Sequence, residues 1–233
     1  MPPRLLVGAV FGATPLAERF ERAGHTVRPL DIHDDPGAVA HVDLVLLDGP
    51  SADIRAACER VADHARPRQM FLHTALEEGQ QLLDDVETSH AITMCAHNIF
   101  DNVWVTSAAD ELGETVVGLL IAEIGGMSLR IADQARPAIA AAQELRAMEA
   151  VVRDDALELL TQAVPGFDAV APQFLQALAG PRTTRSPARL EQLVQAVPDP
   201  GAKRLFVDLV RRRGEVDGDT DTELWAIHKY EGG

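Results

Sequence analysis

Cysteine is scarce in this chain of 233 residues: Cys58 and Cys95 stand alone, without a CxxC spacing. That excludes a disulfide framework and leaves no cysteine pattern for a metal, so no metal is expected. It fits two reduced, buried thiols in a cytoplasmic protein. No apolar run comes near the roughly eighteen residues that a membrane helix needs, so no span is expected. The N-terminus enters an apolar strand pattern at Arg4, and no targeting segment is expected before it. Basic residues are also short, with 21 Lys and Arg against 36 Asp and Glu and a net charge of −15. A field of that sign repels phosphates and disfavours nucleic acid or an anionic membrane surface as partner. Any grip on a pyrophosphate would therefore fall to backbone amides. With 46% hydrophobic and 24% charged residues, the chain can bury a full core in one large domain or two unequal ones.

What is present begins with a βαβ pattern. Arg4 to Ala9 is a short apolar run. The loop Val10-Phe11-Gly12-Ala13, a helical stretch from Thr14 to Ala23, and a second strand from Thr26 to Leu30 follow, ending at Asp31. A dinucleotide-binding turn has Gly-x-Gly-x-x-Gly between strand and helix, and an acid about twenty residues on. Counted back from Ala23-Gly24-His25, Gly8 takes the first glycine position, Val10 the second and Ala13 the third. The acid survives as Asp31. The second glycine, which lets backbone approach a pyrophosphate, is replaced by a valine whose side chain would occupy that space. Pro15 predicts a late helix start that displaces amide donors, and Gly12 restores some backbone freedom.

Strand and helix signals alternate through the first half. Val42–Leu47 predicts a third strand, stopped by Asp48-Gly49-Pro50, and Ser51 is the expected N-cap of a helix Ala52–His64. Gln69–Leu72 predicts a fourth strand ending at His73-Thr74, followed by a helix Leu76–Leu83. Ala91–Cys95 predicts a fifth, ending at Ala96-His97-Asn98, and Asn102–Thr106 a sixth. A helix Ala108–Ile124 closes at Gly125-Gly126, and Met127–Ile131 is a seventh strand candidate. From Pro137 to Val164 runs one long Ala-, Leu- and Glu-rich helical pattern. Further helices are expected at Phe167–Ala179, Pro187–Val197, Ala202–Arg213 and Thr222–Tyr230, with a joint at Gly180-Pro181. The expected architecture is α/β: a Rossmann-like, doubly wound, mostly parallel sheet over 1–132, then an all-α domain over 133–233.

Ligands of open α/β sheets bind outside the carboxyl ends of the strands. Those ends carry Gly8, Asp31, Asp48-Gly49, His73-Thr74 and His97-Asn98 in succession. His73 and His97 are the pair suited to proton chemistry, because imidazole titrates near physiological pH. His25, His33, His41, His64, His90 and His228 have no such placement and are expected at the surface or at caps. Asp217-Gly-Asp219-Thr-Asp221 starts like a calcium loop, but its sixth position is Thr222 and its twelfth His228, so an acidic linker is expected. Arg211-Arg212-Arg213 before Gly214 is expected at a helix C-terminus, where cations suit the dipole. Trp104 and Trp225 are expected as core anchors.

This layout resembles the 6-phosphogluconate-dehydrogenase-like superfamily, with a Rossmann domain followed by a helical domain entered through one long helix. The residues carrying the resemblance are Val7-Gly8 with Ala23-Gly24-His25, Phe71 to Thr74, Ala96-His97, Gly125-Gly126 and Arg136-Pro137. The resemblance implies an NAD(P)-dependent dehydrogenase or reductase of a small polar metabolite, with His73 or His97 handling the proton. Gly8, Val10, Phe11, Gly12, Asp31 and Gly49 would line the cofactor, NAD or NADP. The acid at Asp31 favours NAD, against which Arg28 is a nearby counterweight. It also implies a homodimer through the helical domain. Three departures bear on this: the altered loop, His97-Asn98 where relatives carry His-Pro, and the absence of the β-hydroxyacid dehydrogenases' Lys and Asn from Pro137–Val164. The chain has only Lys203, Lys229, Asn98 and Asn102 of those types, so that particular chemistry is excluded. The alternative is a non-catalytic ligand-binding or assembly protein with a degenerate phosphate loop, in which the cofactor is absent. No residue pattern points to one substrate.

Overall fold

The computed structural model describes residues 4–176 and 186–231. Its chain forms two compact units that divide between Glu144 and Leu145. The first is built on β1 (Leu6–Ala9), α1 (Pro15–Arg22), β2 (Thr26–Pro29), β3 (Leu44–Leu47), α2 (Ser51–Val61) and β4 (Met70–His73). It continues through α3 (Asp84–Glu87), β5 (Ile92–Phe100), β6 (Val103–Ala108), α4 (Glu111–Glu123) and β7 (Met127–Arg130) into α5 (Arg136–Ala163). The seven strands form one sheet in the order β2-β1-β3-β4-β5-β6-β7. β1 to β5 are parallel, β6 runs antiparallel to β5, and β7 runs parallel to β6. The order reverses between β1 and β3, which is where a crevice opens in such sheets.

Alternation along the strands builds two cores. Leu44, Leu46, Leu72 and Met94 face α1 and α4, meeting Phe20, Leu120 and Ile121. Val45, Leu47 and Phe71 face the other side, meeting Ile54, Ala57, Cys58 and Val61 of α2. Each fully buried large side chain contributes about 1.5–3 kcal/mol by leaving water.

Several local expectations are corrected. Ser51 is the first residue of α2 and Pro50 holds the cap position, with no side-chain cap bond. The predicted helix Leu76–Leu83 is a loop with a 3₁₀ turn at Gln80–Leu83 leading into the short α3. β5 runs on past Cys95, because Ala96, His97 and Asn98 pair with Thr106, Val105 and Trp104 of β6. His25 is buried, and its Nδ1 accepts the Leu5 amide at 3.2 Å.

The second unit holds the remainder of α5, then α6 (Ala171–Gln176), α7 (Pro187–Gln195), α8 (Pro200–Asp217) and α9 (Thr220–Glu231). The expected helix end 177–179 and the joint Gly180-Pro181 lie outside the described residues. α8 continues through Gly214, so the arginine run is mid-helix and pairs forward, Arg211 and Arg212 with Glu215 and Arg213 with Asp217. Asp217 to Asp221 is a tight helix corner rather than a linker: Asp219 accepts from the Thr222 amide and hydroxyl. Trp104 is buried, as a core anchor requires. Among the described residues no helix is long and apolar enough to cross a membrane.

Candidate functional site

The loop after β1 turns at the sheet's reversal point. Val10 donates its amide to the Leu46 carbonyl at 3.1 Å, and the Gly12 amide turns back to Ala9 at 3.4 Å. Gly12 has φ +78°, a left-handed conformation that explains the glycine. α1 starts at Pro15, as expected, with Thr14 Oγ1 accepting the Ala17 amide. Val10 and Phe11 turn inward onto the core on the α2 side. Phe11 lies on Gly49, where any Cβ would press within 2.8 Å of its ring. Gly8 is a packing glycine inside β1: a methyl there would collide with Leu30.

Beside this loop is a cleft of about 540 Å³ lined by Val10, Gly12, Asp31, His33, Asp53 and Arg60, among others. It brings together Val10, Phe11, Gly12 and Asp31 of the expected set, while Gly8 and Gly49 stand outside its lining. Asp31 is exposed, and its Oδ1 accepts the His33 amide at 3.1 Å and the Asp34 amide at 3.2 Å. Those bonds fix the carboxylate at the rim. Asp53 and Arg60 were missed in the sequence. Their only signal is a seven-residue spacing along α2, beside Ala56 and Ala57.

Across the sheet, His73, Cys95 and Ser107 lie in one row, paired β4 to β5 to β6. Equal register puts their side chains on the same face. Arg136, the first residue of α5 and 3% exposed, plugs this row. Its Nη1 donates to Cys95 Sγ at 3.4 Å and the Leu76 carbonyl at 3.3 Å. Nη2 donates to Ser107 Oγ at 2.5 Å, and Nε to Asp133 at 2.8 Å. Burial pushes the Cys95 thiol up, and the bond from Arg136 holds Asp133 below its ordinary range. His73 is fully buried, with Nε2 3.1 Å from the Gly79 carbonyl and no partner on Nδ1. Burial, reinforced by the Arg136 charge, lowers it to about 4. His73 thereby ties the loop at Gly79 to the end of β4, in a ring that is neutral at pH 7 and closed to solvent.

His97 differs. It is half-buried, its Nδ1 sits 2.8 Å from the Thr74 carbonyl and its Nε2 3.1 Å from Gln143 Oε1. Gln143 Nε2 donates to the Asn98 carbonyl at 3.3 Å, and Thr74 Oγ1 donates to Asp48 at 2.7 Å. The ends of β3 and β4, the extension of β5 and the third turn of α5 thus share one polar chain. Gln143 lies seven residues, two helical turns, after Arg136, so both reach the sheet from one side of α5.

No curated protein matches the chain in sequence. Residues 132–229 match a family model, 6-phosphogluconate dehydrogenase C-terminal domain-like. Among solved structures, a Bacteroides fragilis protein provisionally described as an NADP oxidoreductase is 13% identical. It superposes with a TM-score of 0.65, over 91% of this chain and 98% of that one. An imine reductase from Pseudomonas sp. is 11% identical at 0.63, over 97% and 99%. The Plasmodium falciparum pyrroline carboxylate reductase, solved with NADP bound, is 9% identical at 0.57, over 98% and 97%. At these identities the likeness establishes the fold, a Rossmann-like sheet followed by helices, which agrees with the resemblance read from the sequence.

Proposed function

We propose that this chain is an NAD(P)-dependent oxidoreductase of a small polar metabolite, with a sheet domain over 1–132 and a helical domain over 133–233. The observation that carries the reading is the cleft beside the β1 loop with Asp31 at its rim. It fits the adenosine end of a dinucleotide: Val10, Leu30, Ile32 and Ala57 offer an apolar floor, and the exposed carboxylate can accept from ribose hydroxyls. The nicotinamide, when bound, supplies the hydride chemistry. On the protein's side, Gly12 leaves room for backbone to approach phosphate, and His97 holds or moves a proton at Nε2. The Asp31 carboxylate would repel a 2′-phosphate, so NADH is expected to bind more tightly than NADPH. Titration of each nucleotide by fluorescence transfer tests this. A dissociation constant below a millimolar, a binding free energy of about 4 kcal/mol, is expected. No saturation by either nucleotide overturns the reading.

One observation favours the non-catalytic alternative. The Val10, Gly12 and Ala17 amides are already committed within the protein, and Pro15 has none to offer, so the loop has few donors for a pyrophosphate. The same titration decides between the two.

The reading includes a homodimer through the helical domain. α5 exposes Leu145, Met148 and Val151 at 69%, 50% and 52%, an apolar stretch that a second copy would cover. Sedimentation at micromolar concentration is expected to show the dimer, and a monomer there removes it. The two buried free thiols support a cytoplasmic location.

A further inference from the structure

The nucleotide cleft lies at β1 and β2, on one side of the sheet. Where β6 and β7 end, toward the opposite edge, a cleft of about 340 Å³ is lined by Gln80, Ser107, Arg130 and Asp133, among others. It adjoins a hollow of about 450 Å³ beside α4, and Ser107, Glu114 and Arg130 line both. The lining offers two opposite chemistries. The loop 79–81 packs on Asp133 so closely that a Cβ on Gly79 would come within 2.7 Å of both carboxylate oxygens. Arg136 donates to one of those oxygens at 2.8 Å and Gln81 to the other at 3.0 Å, and each keeps a further lone pair. In the same loop, Gln80 Oε1 is buried without a donor, and it can only accept. Arg130 is the counterpart. One guanidinium nitrogen pairs with Glu114, and with 72% of the side chain exposed the others keep N–H groups to give.

We propose that this cleft binds a free α-amino acid, whose ammonium group donates to Gln80 Oε1 and Asp133 and whose carboxylate accepts from Arg130. An anion alone would leave Gln80 Oε1 without a donor. It would also face the Asp133 and Glu114 carboxylates, in a chain of net charge −15. A cation alone would forgo the contact with a carboxylate for which a guanidinium is shaped. A zwitterion meets both sets of partners and adds no net charge. Gln80 is half-buried, so a turn of its terminal amide presents Oε1 without moving backbone. The neighbouring hollow leaves room for a side chain. This site does not rest on the oxidoreductase reading, because its residues and those of the nucleotide cleft are separate sets.

Calorimetric titration with L-alanine and L-glutamine, without nucleotide, tests it. At least one is expected to saturate with a dissociation constant of about a millimolar or below. Propionate and ethylammonium, which are alanine without its amine and without its carboxylate, are expected to bind at least about tenfold more weakly at matched ionic strength. Gln80→Leu is expected to weaken the amino acid by about tenfold or more. Its melting midpoint should be unchanged or higher, since Oε1 makes no bond that folding would lose. Arg130→Gln is expected to weaken the amino acid and to leave ethylammonium as it was. No saturation by either amino acid overturns the site. Propionate or ethylammonium binding as tightly as the amino acids overturns the ligand class. An unchanged amino-acid affinity in either variant overturns the placement. Should Gln80→Leu fail to fold, Arg130→Gln decides by itself, because its side chain is mostly exposed. Success or failure of nucleotide titration leaves each of these outcomes as it stands.

Discussion

Replacing Arg136 with leucine is expected to lower the unfolding free energy by about 3 kcal/mol, a loss of the size reported for breaking buried polar networks. The guanidinium is 3% exposed and bonds to Ser107, Cys95, the Leu76 carbonyl and Asp133. Leucine leaves the Ser107 hydroxyl and the Leu76 carbonyl unpaired in a dry place, at about 1–3 kcal/mol each. Asp133 is better off, because its side chain is 32% exposed and can rehydrate. Against these losses stands the relief of desolvating a cation, which keeps the net below the sum. In a chain of this size, 3 kcal/mol corresponds to a fall of about 6–12 °C in melting midpoint. Arg136→Lys should recover part of it, since it keeps the charge but not the fork of donors. An unchanged midpoint in the leucine variant would mean that desolvation cancels the bonds.

A second large effect is expected from acid. His73 is held at about 4 in the folded protein against an ordinary 6.5, by burial first and by the Arg136 charge second. The unfolded chain therefore binds a proton between these values that the folded chain refuses. Stability attributable to His73 is complete above about pH 6.5, falls as pH drops toward 4, and levels off below. A shift of that size corresponds to about 3 kcal/mol. Asp133 acts in a separate window: its lowered carboxyl contributes stability above its ordinary 3.8 that is lost only as pH falls further. Cys58, pushed by burial from 9.0 up to about 12, contributes below pH 9 and loses that contribution as pH rises. The plateau should span roughly pH 6.5 to 9. Urea unfolding at several pH values measures it. In His73→Gln, which keeps an N–H for the Gly79 carbonyl, the slope between pH 6.5 and 4 should vanish; its persistence would assign it to other groups.

Much of the fold was legible because its signals are local. Continuous apolar runs such as Leu44–Leu47 and the helical spacing of Ile54, Ala57, Cys58 and Val61 need only neighbouring residues to be read. The stretch Leu76–Leu83 misled because its apolar residues serve a loop: Leu82 and Leu83 are buried by tertiary packing, without a helix to space them. β5 ran past Cys95 for a related reason. An antiparallel partner two residues of turn away supplied bonds for Ala96 to Asn98, and strand length depends on the partner as much as on composition.

The candidate site divides in the same way. The amino-acid order alone determined the βαβ opening, the altered glycine loop, Asp31 at a strand end and a rim bearing two histidines, because strand ends and turns are written in short stretches. Only the tertiary structure gave those histidines their different surroundings. His73 shares its row with Cys95 and Ser107 under Arg136, which closes it to water and keeps it neutral. His97, two residues along β5 from Cys95, meets Gln143 instead and stays half-open. Burial and hydrogen-bond partners come from residues dozens of positions apart, and no local pattern contains them.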